Sequence, residues 1–177
     1  MKLTLTYQGP LPAKQRGVSP IKADLRRAFH PQISAQVERL LGGNSRQHVT
    51  TSMGEYEFIS PAHSNFHTAV ELDILMLAPR GRRPVGDTDN RLKTLIDGLT
   101  RPANSNQLQG FRAPDDGGAT YCLMDDDSLV QRIGVDSRTW HVPPIGSSDA
   151  LVVVTATIVL SETVNMDSPV GNIFLVL

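Results

Sequence analysis

Cysteine, aromatic residues and long apolar runs are all scarce in this chain of 177 residues. Cys122 is the only cysteine, so the chain can form neither an intrachain disulfide nor a zinc site built from cysteines. Aromatic residues make up 5% of the sequence, which predicts a mostly aliphatic core. The longest apolar run, residues 150–160, is far shorter than the roughly 20 residues of a membrane helix. We therefore expect a cytoplasmic protein that does not cross a membrane.

Net charge is also small, because 17 lysines and arginines face 18 acidic residues and give a balance of -1. Bulk positive charge therefore does not draw this chain to nucleic acid. The distribution is uneven, since residues 1–101 hold 14 basic and 9 acidic residues whereas residues 102–177 hold 3 and 9. Two interpretations stay open. The charged runs are ordinary solvated surfaces, or the basic segments contact a polyanion while the acidic segment binds a cation.

The pattern of apolar residues predicts one α/β or α+β domain. Alternating apolar and polar residues indicate strands at residues 2–7 and 69–78. Residues 129–135 and 150–160 also indicate strands, and residues 49–59 are ambiguous but can form one. A helical pattern spans residues 20–41, where Pro31 predicts either two helices or one kinked helix before a stop at 42–44. A second helix begins near Asp89 and stops at 101–102, and a long exposed loop follows.

Two carboxylates stand two positions apart where the second helix begins. Asp87 and Asp89 would project to one side of an extended lead-in, an arrangement that suits a hard cation such as Mg²⁺. Within the helix, Asp89, Lys93 and Asp97 recur every four residues, and Lys93 could stabilise charge in phosphoryl transfer. The alternative is helix capping by Asp89 or Asn90, with ordinary pairing of Asp and Lys along the helix.

Three consecutive acids, Asp125, Asp126 and Asp127, lie between apolar residues ahead of a predicted strand. Adjacent carboxylates repel one another, and a bound divalent cation would remove that cost. The alternative is an ordinary acidic turn. Together with the helix segment, these acids supply the carboxylates and the lysine that suit metal-assisted hydrolysis of a phosphodiester.

Other candidate residues carry weaker signals. His63 and His67 are four residues apart, as in a metal-binding pair on a helix, but Pro61 and Asn65 favour a loop at this point. Cys122 has no catalytic motif around it, which argues against a nucleophile.

At these residues the sequence resembles the RusA-type Holliday-junction resolvases. The family pattern is a basic loop, then Asp-x-Asp-Asn-x-x-Lys on a helix, then an Asp-Asp pair leading into a strand. The matching segments here are Asp87-Thr-Asp-Asn-Arg-Leu-Lys-Thr-Leu-Ile-Asp-Gly-Leu99 and Met124-Asp-Asp-Asp-Ser-Leu-Val130. The resemblance covers residues 70–135 well and the rest of the chain loosely.

By position, the resemblance implies a catalytic metal site and a catalytic lysine. The implied metal ligands are Asp87, Asp89, Asp126 and its neighbour Asp125. The triplet leaves the register open by one residue, so Asp127 could replace Asp126. Lys93 matches the lysine needed for cleavage, and Asn90 and Asp97 are supporting positions. The basic residues expected to position DNA phosphates are Arg80, Arg82, Arg83, Lys14, Arg16 and Arg27.

The resemblance also implies a fold and an activity. Residues 1–177 would form a single RusA-like α/β (α+β) domain, a small mixed β-sheet packed with two to three helices. The loop at 101–122 would be an expansion, and residues 161–177 a C-terminal extension. The implied protein is a homodimeric, Mg²⁺-dependent endonuclease, often encoded by a prophage, that resolves four-way DNA junctions in recombination and repair, with Mn²⁺ as a possible substitute. Two alternatives stay open: a non-catalytic DNA-binding dimer, and a metal-dependent hydrolase of a small phosphoester.

Overall fold

A computed structural model describes residues 1–12, 20–38, 43–79, 88–108, 110–114, 117–142 and 149–160. In chain order, the helices and strands of these residues are β1 (Lys2–Gly9), α1 (Pro20–Val37), α2 (Gly43–His48), β2 (Thr50–Met53), β3 (Tyr56–Ile59), β4 (Thr68–Pro79), α3 (Thr88–Leu99), β5 (Thr120–Tyr121), β6 (Val130–Trp140) and β7 (Ala150–Leu160). Short 3-10 helices form at Ser64–Phe66, Ser105–Leu108 and Asp127–Leu129.

The strands form two mixed sheets. The larger sheet has the order β1-β7-β4-β6, in which β7 runs antiparallel to β1 and β4, and β6 runs parallel to β4. The smaller sheet has the order β2-β3-β5, with an antiparallel pair and a parallel pair. Together with three α-helices over the described residues, these sheets confirm the predicted α+β class.

The core lies between the larger sheet and the helices α1 and α3. In β1, β4 and β7, alternate side chains are buried, as the two-residue period of these segments predicts. Leu72 of β4 and Val154 of β7 join Phe29 of α1 and Leu99 of α3 in one apolar cluster. Full burial of each such side chain contributes about 1.5–3 kcal/mol, so this cluster fixes both helices on the sheet.

Helix α1 continues through Pro31 without interruption, so the alternative of two helices is wrong. A proline inside a helix removes one backbone hydrogen bond. Phe29 and Ile33, which flank it, are fully buried against the sheet, and this packing outweighs the lost bond. The spacing of Ile33, Val37, Leu40 and Leu41 predicts an apolar stripe on this helix. Ile33 and Val37 are buried, and Leu40 and Leu41 lie outside the described residues.

The predicted helix stop at 42–44 is also wrong in position. Helix α1 ends at Val37, and Gly43 begins the six-residue helix α2. The glycines predict the end of a helix, but glycine also occurs where a helix begins, as Gly43 does here. None of the described helices has the length and apolar character to cross a membrane.

The segment predicted as an exposed loop, 101–122, is partly packed. Phe111 is buried against Phe58 and Tyr56, with ring centroids 5.3 and 5.0 Å away. Strand β5 closes the segment by pairing in parallel with β3. The polar composition of this segment concealed Phe111, because one buried phenylalanine among polar residues does not create a periodic pattern.

Two predicted strands have different extents in the structure. Residues 49–59 form the hairpin β2–β3 rather than one strand, and its turn contains Gly54 at φ +62°. Glycine adopts this left-handed conformation without a steric penalty, which makes the turn possible. Strand β6 runs to Trp140, five residues beyond the prediction for 129–135. The prediction stopped short because the last residues of the strand are exposed and show no apolar alternation.

Helix α3 connects two strands that are neighbours in the sheet. It lies between β4 and β6, which pair in parallel from Val70 with Val130 to Pro79 with Trp140. This β4–α3–β6 crossover contains both acidic segments singled out in the sequence: the first enters α3 and the second enters β6. The candidate site is therefore a property of this unit.

Candidate functional site

The first turn of α3 contains the acids of the first motif. The helix begins at Thr88, so Asp89 and Asn90 lie inside its first turn rather than in an extended lead-in or at the cap. Asp89 is exposed, and no described residue makes a hydrogen bond or ion pair with its carboxylate. A negative side chain here is stabilised by the N-terminal end of the helix dipole. Asp87, the other acid of the motif, lies outside the described residues.

The polar stripe of α3 divides between solvent and the protein. Lys93 is exposed, whereas Asp97 pairs with Lys22 of α1, with 2.6 Å between Oδ2 and Nζ. The predicted ladder of Asp89, Lys93 and Asp97 therefore does not pair along the helix. Asp97 instead links α1 to α3, and Lys93 remains available to solvent.

Arg26, which the sequence analysis did not single out, is bound at the C-terminal end of α3. Its Nε donates to the carbonyl of Thr100 at 2.7 Å, and its Nη2 donates to the carbonyl of Asp97 at 2.8 Å. The last carbonyls of a helix lack hydrogen-bond donors within the helix, and the Arg26 guanidinium provides donors for two carbonyls here. Burial lowers the pKa of Arg26, which is 2% exposed. The one signal in the sequence is that Arg26 follows Leu25 and precedes Phe29 by three residues, both of which are apolar residues on the buried side of α1.

Asp125 is a structural carboxylate. It is 5% exposed, and its oxygens accept hydrogen bonds from the backbone N–H of Ser64 at 3.1 Å and from Ser64 Oγ at 2.7 Å. Its own N–H donates to the carbonyl of Ala62 at 3.0 Å. The neighbouring Met124 N–H donates to the carbonyl of Leu99. Asp125 therefore ties the turn before β6 to the loop before β4, at the C-terminal end of α3.

His63 stands beside this carboxylate without forming an ion pair. Its Nδ1 lies 3.7 Å from Asp125 Oδ2 and accepts a hydrogen bond from the Asn65 N–H at 3.2 Å, which requires an unprotonated nitrogen. Burial lowers the pKa of His63 and outweighs the opposing effect of the Asp125 carboxylate, and the charge of Arg101 adds to the lowering. The residues around it form a loop with a single 3-10 turn, as Pro61 and Asn65 predicted.

The other two acids of the triplet are exposed. Asp126 Oδ1 accepts a hydrogen bond from the Ser128 N–H at 2.9 Å and so caps the 3-10 helix Asp127–Leu129. The hydrogen bonds from Ser128, aided by the charge of Arg101, lower the pKa of Asp126, so this carboxylate is ionised at neutral pH. Asp127 is also exposed. The structure thus divides three identical neighbours into one internal and two solvent-facing carboxylates.

The described acids of the two motifs stand toward opposite ends of α3. Asp89 precedes Leu99 by ten residues, which is about 15 Å of helix at 1.5 Å per residue. The carbonyl of Leu99 accepts the N–H of Leu123, just before the acidic triplet. Among the described residues, no group of three histidine, cysteine or acidic side chains could hold a metal ion. Asp87 is not among those residues.

The donor chemistry nevertheless fits a hard divalent cation. Asp89, Asp126 and Asp127 present carboxylate oxygens to solvent, and Mg²⁺ prefers oxygen ligands while it retains several waters. None of the three forms an ion pair with a described residue. Asp125 fits less well, because both of its oxygens already accept hydrogen bonds from Ser64.

Most of the predicted DNA-binding residues lie outside the described part of the chain. These are Arg80, Arg82, Arg83, Lys14 and Arg16. Arg27 is described and exposed on α1, with its Nη1 3.4 Å from Asp24 Oδ1. An exposed pair of this kind contributes at most about 1 kcal/mol, so it leaves Arg27 able to exchange its partner for a phosphate.

The larger sheet has a further concave region on the face turned away from the core. A cavity of about 670 Å³ lies over Leu75, Leu77 and Val153, and Asp73 and Arg138 also line it. Along this face, Arg132 donates to both oxygens of Asp73 at 3.1 and 2.8 Å. This bidentate pair neutralises an acid that points away from the core.

Cys122 is buried, and burial raises its pKa to about 12. A thiol with that pKa holds almost no thiolate at neutral pH, so it does not act as a nucleophile.

Comparison of the whole chain with protein-family models found no match, and comparison with curated proteins found none either. The resemblance to RusA-type resolvases thus rests on the motif residues alone.

Proposed function

We propose that this protein is a divalent-metal-dependent endonuclease that cuts branched DNA, with four-way junctions as its substrate. The observation that carries the proposal is the β4–α3–β6 crossover. This single unit holds the exposed Asp89, Lys93 and Asp126, three side chains of the types that phosphodiester hydrolysis uses. The order of strand, basic segment, acidic helix start and acidic turn is also that of the resolvase motif.

The exposed carboxylates are the proposed ligands of Mg²⁺ or Mn²⁺. Asp87 and Asp89 would supply them at the start of α3, and one of Asp126 and Asp127 would do so toward the other end of the helix, so the two groups would hold separate ions. When bound, such a cation activates water and stabilises negative charge on a phosphate. Asp126 meets the requirement that a ligand be ionised at neutral pH. Asp125 is then a positioning residue, since it holds the turn through Ser64.

Lys93 has the chemistry for the phosphate itself. Its ammonium group is exposed on α3, one helical turn after Asp89, and it makes no ion pair with a described residue. We assign it to stabilise the negative charge that develops on the phosphate during cleavage. Arg27 and the basic residues of segments 13–19 and 80–87 would position the flanking phosphates.

The proposed partner is branched DNA, bound by a homodimer in the cytoplasm. Two opposed strands must be cut to resolve a junction, and a two-fold dimer presents two equivalent sites. Because the net charge is -1, binding must depend on local basic patches, and we expect its affinity to fall steeply with salt.

Cleavage of a labelled four-way junction with Mg²⁺ tests the proposal. The wild type should produce paired symmetric nicks, and Asp126→Asn and Lys93→Ala should abolish them. Glu57→Gln is the control with the same loss of charge, because Glu57 is an exposed acid of β3 in the smaller sheet, away from α3 and from β6. Salt-sensitive binding without nicks would support the non-catalytic module instead. No binding, with turnover of a nucleotide phosphoester, would support the small-substrate hydrolase.

A further inference from the structure

The two edges of the larger sheet are treated differently. At the β1 edge, Gln32 of α1 accepts from the Thr6 N–H at 2.8 Å and donates to the Thr6 carbonyl at 2.8 Å. Gln36, one turn later, makes the same pair of bonds with Thr4 at 3.1 and 3.0 Å. Two side-chain amides thus take the place of a neighbouring strand, which prevents another chain from pairing here.

The β6 edge has no such cover among the described residues. Strand β6 is 11 residues long and pairs on one side with β4. No hydrogen bond from another described residue reaches the backbone of its other side. Ile133 and Val135 are 43% and 39% exposed, although their partners in β4, Leu72 and Ile74, are buried. A long edge strand with exposed β-branched residues is a template for further strand pairing.

We propose that a second copy of this chain pairs with β6 in antiparallel register about a two-fold axis through Gly134. The result is one continuous sheet across two subunits. The inference names the surface of the homodimer proposed above and rests on that proposal only for the expectation of two copies. Its evidence comes from the strand, and its test needs neither DNA nor metal.

Two independent side-chain pairs give the same position for the axis. In a two-fold antiparallel pair, residues equally far before and after the axis face each other. An axis at Gly134 sets Ile133 against the partner's Val135, and Arg132 against the partner's Asp136. The first pair lies on the buried face of the sheet and the second on the outer face, and each occurs twice.

The neighbouring registers lose both pairs. An axis at Val135 sets Arg132 against the partner's Arg138, and like charges directly opposite are destabilising. An axis at Ile133 sets Val135 against the partner's Gln131, which leaves an apolar residue against a polar one. A shift by a single residue between the strands would turn the apolar residues to the outer face. The sequence of β6 therefore favours one register.

Arg132 and Asp136 on the outer face can form the contact between subunits while they keep their ion pairs within the chain. Arg132 uses one hydrogen on each of its three nitrogens to bind Asp73 and Glu71, so N–H donors remain. Asp136 accepts from Arg138 through Oδ2, and its Oδ1 accepts from no described residue. The Arg132 and Asp136 pair can therefore join these intrachain ion pairs without breaking them.

Light scattering on the full chain, over a range of concentrations, tests the proposal. The wild type should reach twice the monomer mass of 19.3 kDa. Ile133→Lys should weaken the dimer by roughly tenfold or more, since each copy loses an apolar pair. Leu160→Lys is the control with matched chemistry, because Leu160 is 39% exposed at the end of β7, which pairs with β4 and not with β6, and it should dimerise like the wild type.

Cysteine pairs test the register and do not depend on the stability of the lysine variant. With Ile133→Cys and Val135→Cys in one chain, facing residues lie about 4.5–5.5 Å apart between Cα atoms, within disulfide range. Oxidation should give a covalent dimer. Ile133→Cys alone should not, because its partner copy is diagonal at roughly 7–8 Å. Buried Cys122 does not compete.

Three results would overturn the proposal. A wild type that stays monomeric at all concentrations would mean that the chain itself, such as residues 161–177, covers the edge or that it stays unpaired. A dimer that Ile133→Lys leaves intact would place the interface elsewhere. Cross-linking by the single variant, but not the double variant, would contradict the register.

Discussion

Polar residues at the two ends of α3 differ in how deeply they are buried and in whether they have partners within the protein. At the C-terminal end, Arg26 and Asp125 are buried and bind named partners across the fold. At the N-terminal end, Asp89 and Lys93 are exposed and form no ion pair with a described residue. A buried polar group that has its partners stabilises the fold, whereas an exposed one without partners is available for a ligand. The comparison separates scaffold residues from candidates for the chemistry, to which Asp126 belongs because it is exposed although it lies toward the C-terminal end of α3.

The strongest test of the scaffold end is Arg26→Ala. It removes two charge-assisted hydrogen bonds to the carbonyls of Asp97 and Thr100 and leaves both buried groups without partners. We expect the free energy of unfolding to fall by about 3 kcal/mol, measured by chemical denaturation. Arg27→Ala is the matched control, because this exposed neighbour should change stability by less than about 0.5 kcal/mol. Equal losses in the two variants would break the comparison.

Asp125→Ala should have the next largest effect on stability. It leaves the Ser64 N–H and hydroxyl without their acceptor, at a cost of about 2 kcal/mol. Asp126→Ala removes only the cap of a 3-10 turn and should cost no more than about 1 kcal/mol. Thermal denaturation of both variants measures the difference. A larger loss for Asp126→Ala would mean that the exposed acid, and not the buried one, holds the turn.

The pH dependence of stability tests whether His63, which lies beside Asp125, belongs to the buried scaffold. Burial lowers its pKa below the unfolded value, so the unfolded chain binds the proton more readily. The stability contributed by neutral His63 is therefore present above about pH 6.5 and is lost progressively as pH falls below it. Denaturation across this range should show a flatter dependence for His63→Gln than for the wild type. His141→Gln, at an exposed position, should retain the wild-type slope.

The smallest effect on stability is expected at the N-terminal end of α3. Asp89→Asn removes a charge near the positive end of the helix dipole, which is worth about 0.3–1 kcal/mol at most. Lys93→Ala should change the free energy of unfolding by less than about 0.5 kcal/mol. Chemical denaturation of both variants checks this. A loss as large as that of Arg26→Ala would show that this end is scaffold too.

The regular elements were predictable because their signals are periodic. Strand β1 and the first half of β4 alternate apolar and polar residues, and Leu92, Leu95 and Leu99 of α3 recur at helical spacing, so the type and place of these elements follow from the sequence. Phe111 was missed because it is one residue in a polar segment. Pro31 left two helices or one kinked helix open, and the structure has one helix, held by the buried Phe29 and Ile33.

The candidate site was predictable in its residue types but not in the state of each residue. Nothing local distinguishes Asp125 from Asp126. The difference arises from Ser64, which is 61 residues away in the chain and reaches only Asp125. In the sequence, only its place beside the apolar Leu25 and Phe29 distinguishes Arg26 from Arg27, and its partners are carbonyls at the distant end of α3. Long-range partners decide these roles, and the sequence does not display them.

The most direct test of the central claim is single-turnover cleavage of a four-way junction by Asp126→Asn and Asp125→Asn beside the wild type, with Mg²⁺. The account predicts paired nicks by the wild type. It also predicts a folded but inactive Asp126→Asn, and an Asp125→Asn that is less stable yet still cuts below its unfolding temperature. Undiminished cutting by Asp126→Asn would contradict the assignment of the exposed carboxylates to the chemistry. Absence of cutting by the wild type would contradict the proposed activity itself.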